Sequence, residues 1–422
     1  MIAKQRFFIR DVILLLIAST SVYLLMLWYL GFPQGMEFLS ADEQEYFTLA
    51  KQLVDGDFTL YPRRVMGHVT LLAAGLAMGG SSLVNLQIFI TTLFSLSVPL
   101  LYILVTKITE KRSVALSSAI LVLFWPPFLY YGASLYSETT ALPCFLAFLI
   151  LLPKGELFGD KSKSSWIRWI LAGALLGICM HIRPMYLLYV PFAFLVVLLE
   201  SKSFKRMAKN SIFLLLGMVV VVLPWSLYIS TQTNHFMILS SNGGETVAGG
   251  INPRLIEEGV KAFNTSDGRV TWVGPGKWSA DPGYLSDREK QLSRPQQSSI
   301  AIARVKDWIW KHPRDFIYLE SAKLAYMWSG YPFKDSWKIL LLGGLSATFF
   351  LVGWLGALVC CRASLRQLSR FWLLPIFVSV VALISWGSWR FRQPGLVGAL
   401  VMTVFLIDLC VTRFRLKLKK SR

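Results

Sequence analysis

Apolar residues in this chain come in long blocks broken by short polar or basic stretches, not at the spacing of a one-sided helical stripe. Seven blocks approach the roughly 20 apolar residues that a membrane-spanning helix needs. They are Asp11 to Leu30, Leu83 to Val105, Ser113 to Tyr131, Ile212 to Ile229, Ile339 to Cys361, Phe371 to Trp386 and Pro394 to Val411. Shorter blocks lie at Glu138 to Leu152, Trp166 to Met180 and Met185 to Leu199, the last two split by His181-Ile182-Arg183-Pro184. At 55% apolar over 422 residues, the chain reads as an all-α polytopic membrane protein.

Charge orders these blocks. Alternate short loops are basic, from Lys4, Arg6 and Arg10 through Lys107 to Arg112, Lys154 to Arg168, Lys202 to Lys209, Arg362 to Arg370 and a tail from Arg413 to Arg422. They hold more than half of the chain's 43 Lys and Arg, which places them and both termini on the cytoplasmic face. The register closes with about ten spans only if Val65 to Gly79 lies on the outer surface as a juxtamembrane helix. Three parts follow: a transmembrane module over 1–229 with an external first loop at 31–82, an external loop domain over 230–336, and spans with a basic tail over 337–422.

The net charge of +19 brings no nucleic-acid signature, because the positive residues sit at span ends without interleaved aromatics. The bilayer and its anionic headgroups are the partner that this charge implies. The five cysteines lie in or beside spans with no metal-ligand spacing, and imply neither disulfides nor a redox site. Gly31-Phe32-Pro33 follows the first block without a small-residue cleavage site, so that block reads as an uncleaved anchor.

The outer face on this topology collects the chemistry. Ser40-Ala41-Asp42-Glu43-Gln44-Glu45-Tyr46 opens a helix with a capping box between Ser40 and Glu43. Tyr46, Leu49, Ala50, Leu53 and Val54 keep helical spacing, and Gly56 ends the helix. Glu43 fits either a cap or a catalytic role, and Glu45 reads as a solvated neighbour. Asp42 is the acid that the cap does not use. Glu138 follows Ser137, a second expected cap, and fits either a helix-start acid or a site residue.

Arg183-Pro184 breaks an apolar run, so its guanidinium fits anion binding or snorkelling to the interface. Arg63 and Arg64 in the first loop, and Arg390 and Arg392 in a short outer turn, oppose the topogenic bias; they match phosphate as forks or are interfacial arginines beside aromatic anchors. His68 could help to hold the same anion, although a lone histidine more often plays a structural part. With His181, His235 and His312 it forms no zinc set, whereas Asp42, Glu43 and Glu138 offer oxygen ligands to Mg or Mn. In the loop domain a glycine-rich piece runs from Ser240 through Asn242 to Asn252-Pro253; it is not a P-loop, and closure over a site and plain connection both remain open. Two helices follow, one from Ser298 with Ile302, Val305, Trp308 and Ile309 on one face, and one after His312-Pro313 with Phe316, Leu319, Leu324 and Trp328 as its apolar side.

These residues in this order resemble the polyprenyl-phosphate-sugar-dependent transferases of the GT-C fold, and within it the protein mannosyltransferase and aminoarabinose transferase group. The resemblance rests on Ala41-Asp42-Glu43 with Tyr46 and Ala50, Tyr136-Ser137-Glu138, Arg183-Pro184, the Asn242 to Pro253 loop, Val305 to Ile309 with His312-Pro313, Lys323-Leu324 before Trp328, and Arg390 to Pro394. It implies a GT-C bundle that moves a sugar from a polyprenyl-phosphate donor to a lipid, glycan or protein acceptor, on the outer face of a bacterial cytoplasmic membrane. By the same resemblance Asp42 is the base or the group that orients the acceptor, Glu138 is the second acid, and Arg183 with Arg63 or Arg64 binds phosphate. The family's usual cation before a proline pair is replaced here by Tyr61-Pro62-Arg63-Arg64. A transporter of lipid-linked sugars is the competing class; it calls for charges at mid-membrane in paired halves, and the sequence has no such repeat.

Overall fold

The computed structural model describes residues 2–29, 39–57, 64–80, 82–153, 165–201, 203–253, 255–256, 285–328, 337–385, 387 and 389–420. Among them there are helices and turns but no strand. The first module runs α1 (Ile2–Tyr29), α2 (Ala41–Val54), α3 (Met66–Gly79), α4 (Leu83–Ser95), α5 (Ser97–Thr109), α6 (Arg112–Leu123), α7 (Pro126–Gly132), α8 (Ser137–Leu151), α9 (Ser165–Ile182), α10 (Val190–Ser201) and α11 (Phe204–Thr233). Then come α12 (Gly243–Gly250), α13 (Arg294–Lys311), α14 (Pro313–Trp328), α15 (Trp337–Cys360), α16 (Ser369–Ile384) and α17 (Gln393–Lys420).

Five stretches among the described residues are long and apolar enough to cross a membrane, at Gln5–Tyr29, Leu83–Thr109, Pro184–Ser201, Phe204–Thr233 and Arg390–Lys419. A sixth is the pair α6 and α7, bent by 61° where Phe124-Trp125 precede two prolines. A proline removes the amide that would continue the ladder, so the helix restarts with Pro126 in its first turn. Met66–Gly79, Ser137–Leu151, Trp166–Ile182, Thr348–Cys360 and Ser369–Ile384 are apolar but shorter.

Where α9 and α11 cross, glycines bring the backbones into contact. A Cβ on Gly173 would sit 1.9 Å from the Leu214 carbonyl oxygen, and one on Gly217 would sit 1.9 Å from that of Ile170. Small residues allow this approach where lipid supplies no hydrophobic drive between helices.

One end of the bundle is closed by ion pairs. Arg370, grouped by sequence with a basic loop, is fully buried and binds both carboxylate oxygens of Glu200 at 2.8 and 2.7 Å. It also donates to the carbonyls of Leu149, Leu152 and Pro153, which have no helical partner at the end of α8. At the same end Arg112 holds the buried Asp11 of α1, and Lys111 binds Asp408 of α17 at 2.6 Å. The 15 residues of α8 then span about 22 Å to Glu138 at the opposite end.

At that opposite end α2 and α3 pack as a pair over α4, burying Tyr46, Ala50, Val69, Leu72, Leu76, Leu86 and Ile90. The glycine-rich piece after α11 is the helix α12, with Ala248 and Ile251 packed on Ala301 and Val305 of α13. α13 begins at Arg294, earlier than the apolar periodicity predicts, because Ser293 and Gln296 close a cap there; the Ser293 amide donates to Gln296 Oε1 at 3.1 Å. The buried side of α14 carries not only Leu319 but also Glu320 and Lys323, two polar residues that its apolar pattern had left out. Two cysteines also meet: Cys144 Sγ lies 3.2 Å from Cys179 Sγ, although the pair is not bonded.

Candidate functional site

The capping box expected at Ser40 forms. The Ser40 amide donates to Glu43 Oε2 at 3.0 Å, and the Glu43 amide to Ser40 Oγ at 3.4 Å. The other Glu43 oxygen accepts from the buried Leu135 amide at 2.9 Å. His68 holds the same residue through its carbonyl, since its Nε2 meets the Leu135 carbonyl at 2.8 Å and its Nδ1 meets the Thr140 hydroxyl at 2.9 Å. A carbonyl only accepts, so Nε2 carries the proton, and both ring nitrogens are engaged in a fully buried position. Glu43 and His68 therefore tie α2 and α3 to the connection that leads into α8 and Glu138.

Ser137 is the first residue of α8 rather than its cap; the cap position belongs to Tyr136, whose side chain makes no capping bond. Glu138 lies in the first turn with only 5% of its side chain exposed. Arg183 pairs with it at 2.6 Å. Pro184 disfavours helical geometry in the residue before it, and Arg183 is extended, with φ −146°. Its guanidinium stacks on the Phe391 ring at 4.7 Å, and 12% of its side chain is exposed, so it turns into the bundle instead of snorkelling to water.

Asp42 is the most open member of the cluster, with 33% of its side chain exposed. Oδ1 accepts from Arg64 Nη2 at 2.7 Å, and Oδ2 from Arg390 Nη1 and Nη2 at 3.1 and 3.0 Å. Burial alone would raise its pKa; the two guanidinium charges outweigh that effect and hold it below the usual carboxylate value. Arg390 also reaches Glu138 with Nε at 3.5 Å and covers the Tyr136 ring at 4.6 Å. It thus bridges the two acids, from a short 3₁₀ turn at Trp389–Arg392.

Arg64 has a second carboxylate that sequence reasoning missed. Glu45, read as a solvated neighbour, accepts from Arg64 Nε and Nη2 at 3.1 and 2.5 Å. The signal was present, because Asp42 and Glu45 lie three apart and share a helix face. Tyr46 completes the seat for Arg64, with its ring 5.0 Å below the guanidinium and its hydroxyl accepting at 3.4 Å.

Other candidates do not join this cluster. Arg392 is 1% exposed and donates through Nη1 to the Met327 carbonyl at 2.6 Å, which makes it a fastener of α14. Asn252 is fully buried and braces its own turn, donating to the Ala248 carbonyl and accepting from the Leu255 amide. Asn242 precedes α12 and accepts from the Ser240 hydroxyl at 2.7 Å. Arg63 lies outside the described residues.

The residues do not fit the divalent-cation expectation. Among the described residues no three His, Cys, Asp or Glu side chains converge as a metal set. Asp42 and Glu138 face guanidinium groups, and Glu43 is engaged by two amides. What the arrangement offers instead is guanidinium forks from three distant segments, in the geometry that suits phosphate oxygens.

The family described as dolichyl-phosphate-mannose-protein mannosyltransferase matches residues 66–229. That stretch contains Glu138 and Arg183 but stops short of Asp42, Arg64 and Arg390. Among solved structures, the oligosaccharyltransferase of Archaeoglobus fulgidus in its apo form superposes with a TM-score of 0.59 at 13% identity, covering 99% of this chain and 52% of that one. The oligosaccharyltransferase AglB of the same organism, in complex with an inhibitory peptide and a dolichol-phosphate, gives a TM-score of 0.57 at 14% identity, with 99% and 52% covered. A third structure from that organism, tethered to an acceptor peptide containing the NVT sequon, gives 0.56 at 14% identity, with 98% and 51% covered. The chain thus spans about half the length of these structures. A comparison with curated protein sequences finds no match. The all-α GT-C architecture expected from the sequence is therefore the fold of this chain, and its 66–229 segment matches the mannosyltransferase family within it.

Proposed function

We propose that this chain is a membrane glycosyltransferase that moves a sugar from a polyprenyl-phosphate donor to an acceptor nucleophile. The observation that carries this reading is the convergence of Arg64, Arg183 and Arg390 on Asp42 and Glu138 at one end of the bundle. A polyprenyl phosphate leaves as a stable anion, so cations that neutralise its growing charge matter more than a general acid. Arg390 and Arg64 are the forks nearest the open carboxylate, and they exchange part of their contact with Asp42 for the donor phosphate.

Asp42 then meets the acceptor. Its depressed pKa keeps it ionised, so it first accepts a hydrogen bond from the acceptor O–H and takes the proton late, as the new glycosidic bond forms. A positioned carboxylate in this role contributes about 10²- to 10⁴-fold. A single displacement inverts the anomeric carbon, and a product of retained configuration by NMR rules that step out. The site faces outward from a bacterial cytoplasmic membrane in this reading, and the acceptor is a lipid, glycan or protein.

The test uses membranes containing the chain and radiolabelled polyprenyl-phosphate sugars, comparing wild type with Arg64→Ala. Wild type transfers label, and the variant loses about 10²-fold. No transfer by wild type from any such donor refutes the donor class, and undiminished transfer by the variant refutes the phosphate-binding role.

A further inference from the structure

A lysine side chain is buried on a helix that sequence assigns to the loop domain. Lys323 of α14 has no solvent exposure. Burying an ammonium group is costly unless it is paired and hydrogen-bonded, so its presence on an otherwise apolar face asks for a reason. Its Nζ lies 2.8 Å from Glu320 one turn earlier. It also donates to the carbonyls of Ser385 and Leu383 at 3.0 and 3.3 Å. Those are the last carbonyls of α16, where helix geometry leaves acceptors without partners and favours positive charge.

Three further contacts fasten α14 to the same region. The backbone of Gly387 lies directly against Lys323, since a Cβ there would come within 2.9 Å of both the Lys323 Cβ and its carbonyl oxygen. Arg392 donates to the Met327 carbonyl at 2.6 Å. Trp328 Nε1 donates to the Ser379 hydroxyl at 3.0 Å. α14 thus grips the chain on both sides of Arg390, at Ser385 and Gly387 before it and at Arg392 after it.

We infer that Lys323, held by Glu320, is a positioning residue of the transfer site, setting the turn that aims Arg390 at Asp42 and Glu138. This rests on the proposed role of Arg390 in binding donor phosphate. Through Lys323, α14 becomes part of the site without touching the reacting groups, and the placement of the loop domain is coupled to the placement of one arginine.

The test compares Lys323→Met and Glu320→Gln with wild type in detergent, by hydrogen exchange over 385–392 and by transfer kinetics with a radiolabelled polyprenyl-phosphate sugar. Lys323→Met is expected to lose protection in that segment and to lower kcat/KM for the donor about tenfold. In an Arg390→Ala background the same substitution costs no more than about twofold, because the group it positions is already gone. If Lys323→Met fails to fold, Glu320→Gln shows the same pattern at smaller size. Unchanged protection over 385–392, or losses that multiply with Arg390→Ala, overturns the inference. Absence of transfer by wild type counts against the donor reading instead, and the exchange measurement still decides whether Lys323 holds the turn.

Discussion

Glu43 separates structural from chemical work within the acidic segment at the start of α2. Glu43→Ala removes the acceptor of two backbone amides, those of Ser40 and Leu135. The Ser40 contact belongs to a half-exposed helix cap, worth about 1 kcal/mol. The Leu135 amide is buried, and leaving it without an acceptor costs roughly 1–3 kcal/mol. The variant is therefore expected to lose about 2–4 kcal/mol of stability. Glu43→Gln keeps one acceptor oxygen, so it loses about 1–2 kcal/mol and retains most transfer activity. Reversible unfolding in mixed detergent and SDS micelles measures the first quantity, and initial transfer rates at a temperature where both variants are folded measure the second. Wild-type stability in Glu43→Ala refutes the bracing role. A loss of transfer in Glu43→Gln as deep as that of Asp42→Asn puts Glu43 into the chemistry and refutes the division of labour.

Other predictions concern the frame and the charge state of the site. Arg370→Met takes from the buried Glu200 the guanidinium that binds both of its oxygens at the far end of the bundle, and is expected to destabilise by about 3–5 kcal/mol, read by the same unfolding assay. Gly217→Ala drives a Cβ against the Ile170 carbonyl and forces α9 and α11 apart, at a cost of about 1–3 kcal/mol; unchanged stability contradicts the close packing described. Asp42 has a folded-state pKa below its ordinary value of 3.8, so its ion pairs add stability above that value and lose it only as pH falls through the lower folded one. Between pH 5 and 8 the transfer rate then shows no acid limb from Asp42, and a unit-slope rise in that window contradicts the assignment.

Local features of this site were legible because their physics is local. The Ser40–Glu43 box is encoded in four residues, and the Arg183-Pro184 break follows from one ring. Long-range partners were not. Nothing near Arg390 and Arg392 in sequence distinguishes them, yet a 3₁₀ turn rotates each residue by about 120°, so the two point in directions about 120° apart. One reaches Asp42 and the other the Met327 carbonyl. Glu45 was misread because its partner lies 19 residues away across a turn, although its three-residue spacing from Asp42 marked the shared face. For His68 the sequence left an anion ligand beside a structural residue, and the fold favours the second, since both its nitrogens are occupied. Lys323 was noted only as part of the resemblance, and its burial beside Glu320 was not foreseen, because a helical face with Leu319 and Leu324 is expected to be apolar throughout.

In the proposed mechanism Asp42 meets the acceptor while arginines from other segments hold the departing phosphate. Transfer from a radiolabelled polyprenyl-phosphate sugar by Asp42→Asn, measured beside wild type at equal folded protein, tests it most directly. The substitution keeps the size of the side chain and removes its charge, and the rate is predicted to fall by about 10²- to 10⁴-fold. Transfer at the wild-type rate contradicts the account.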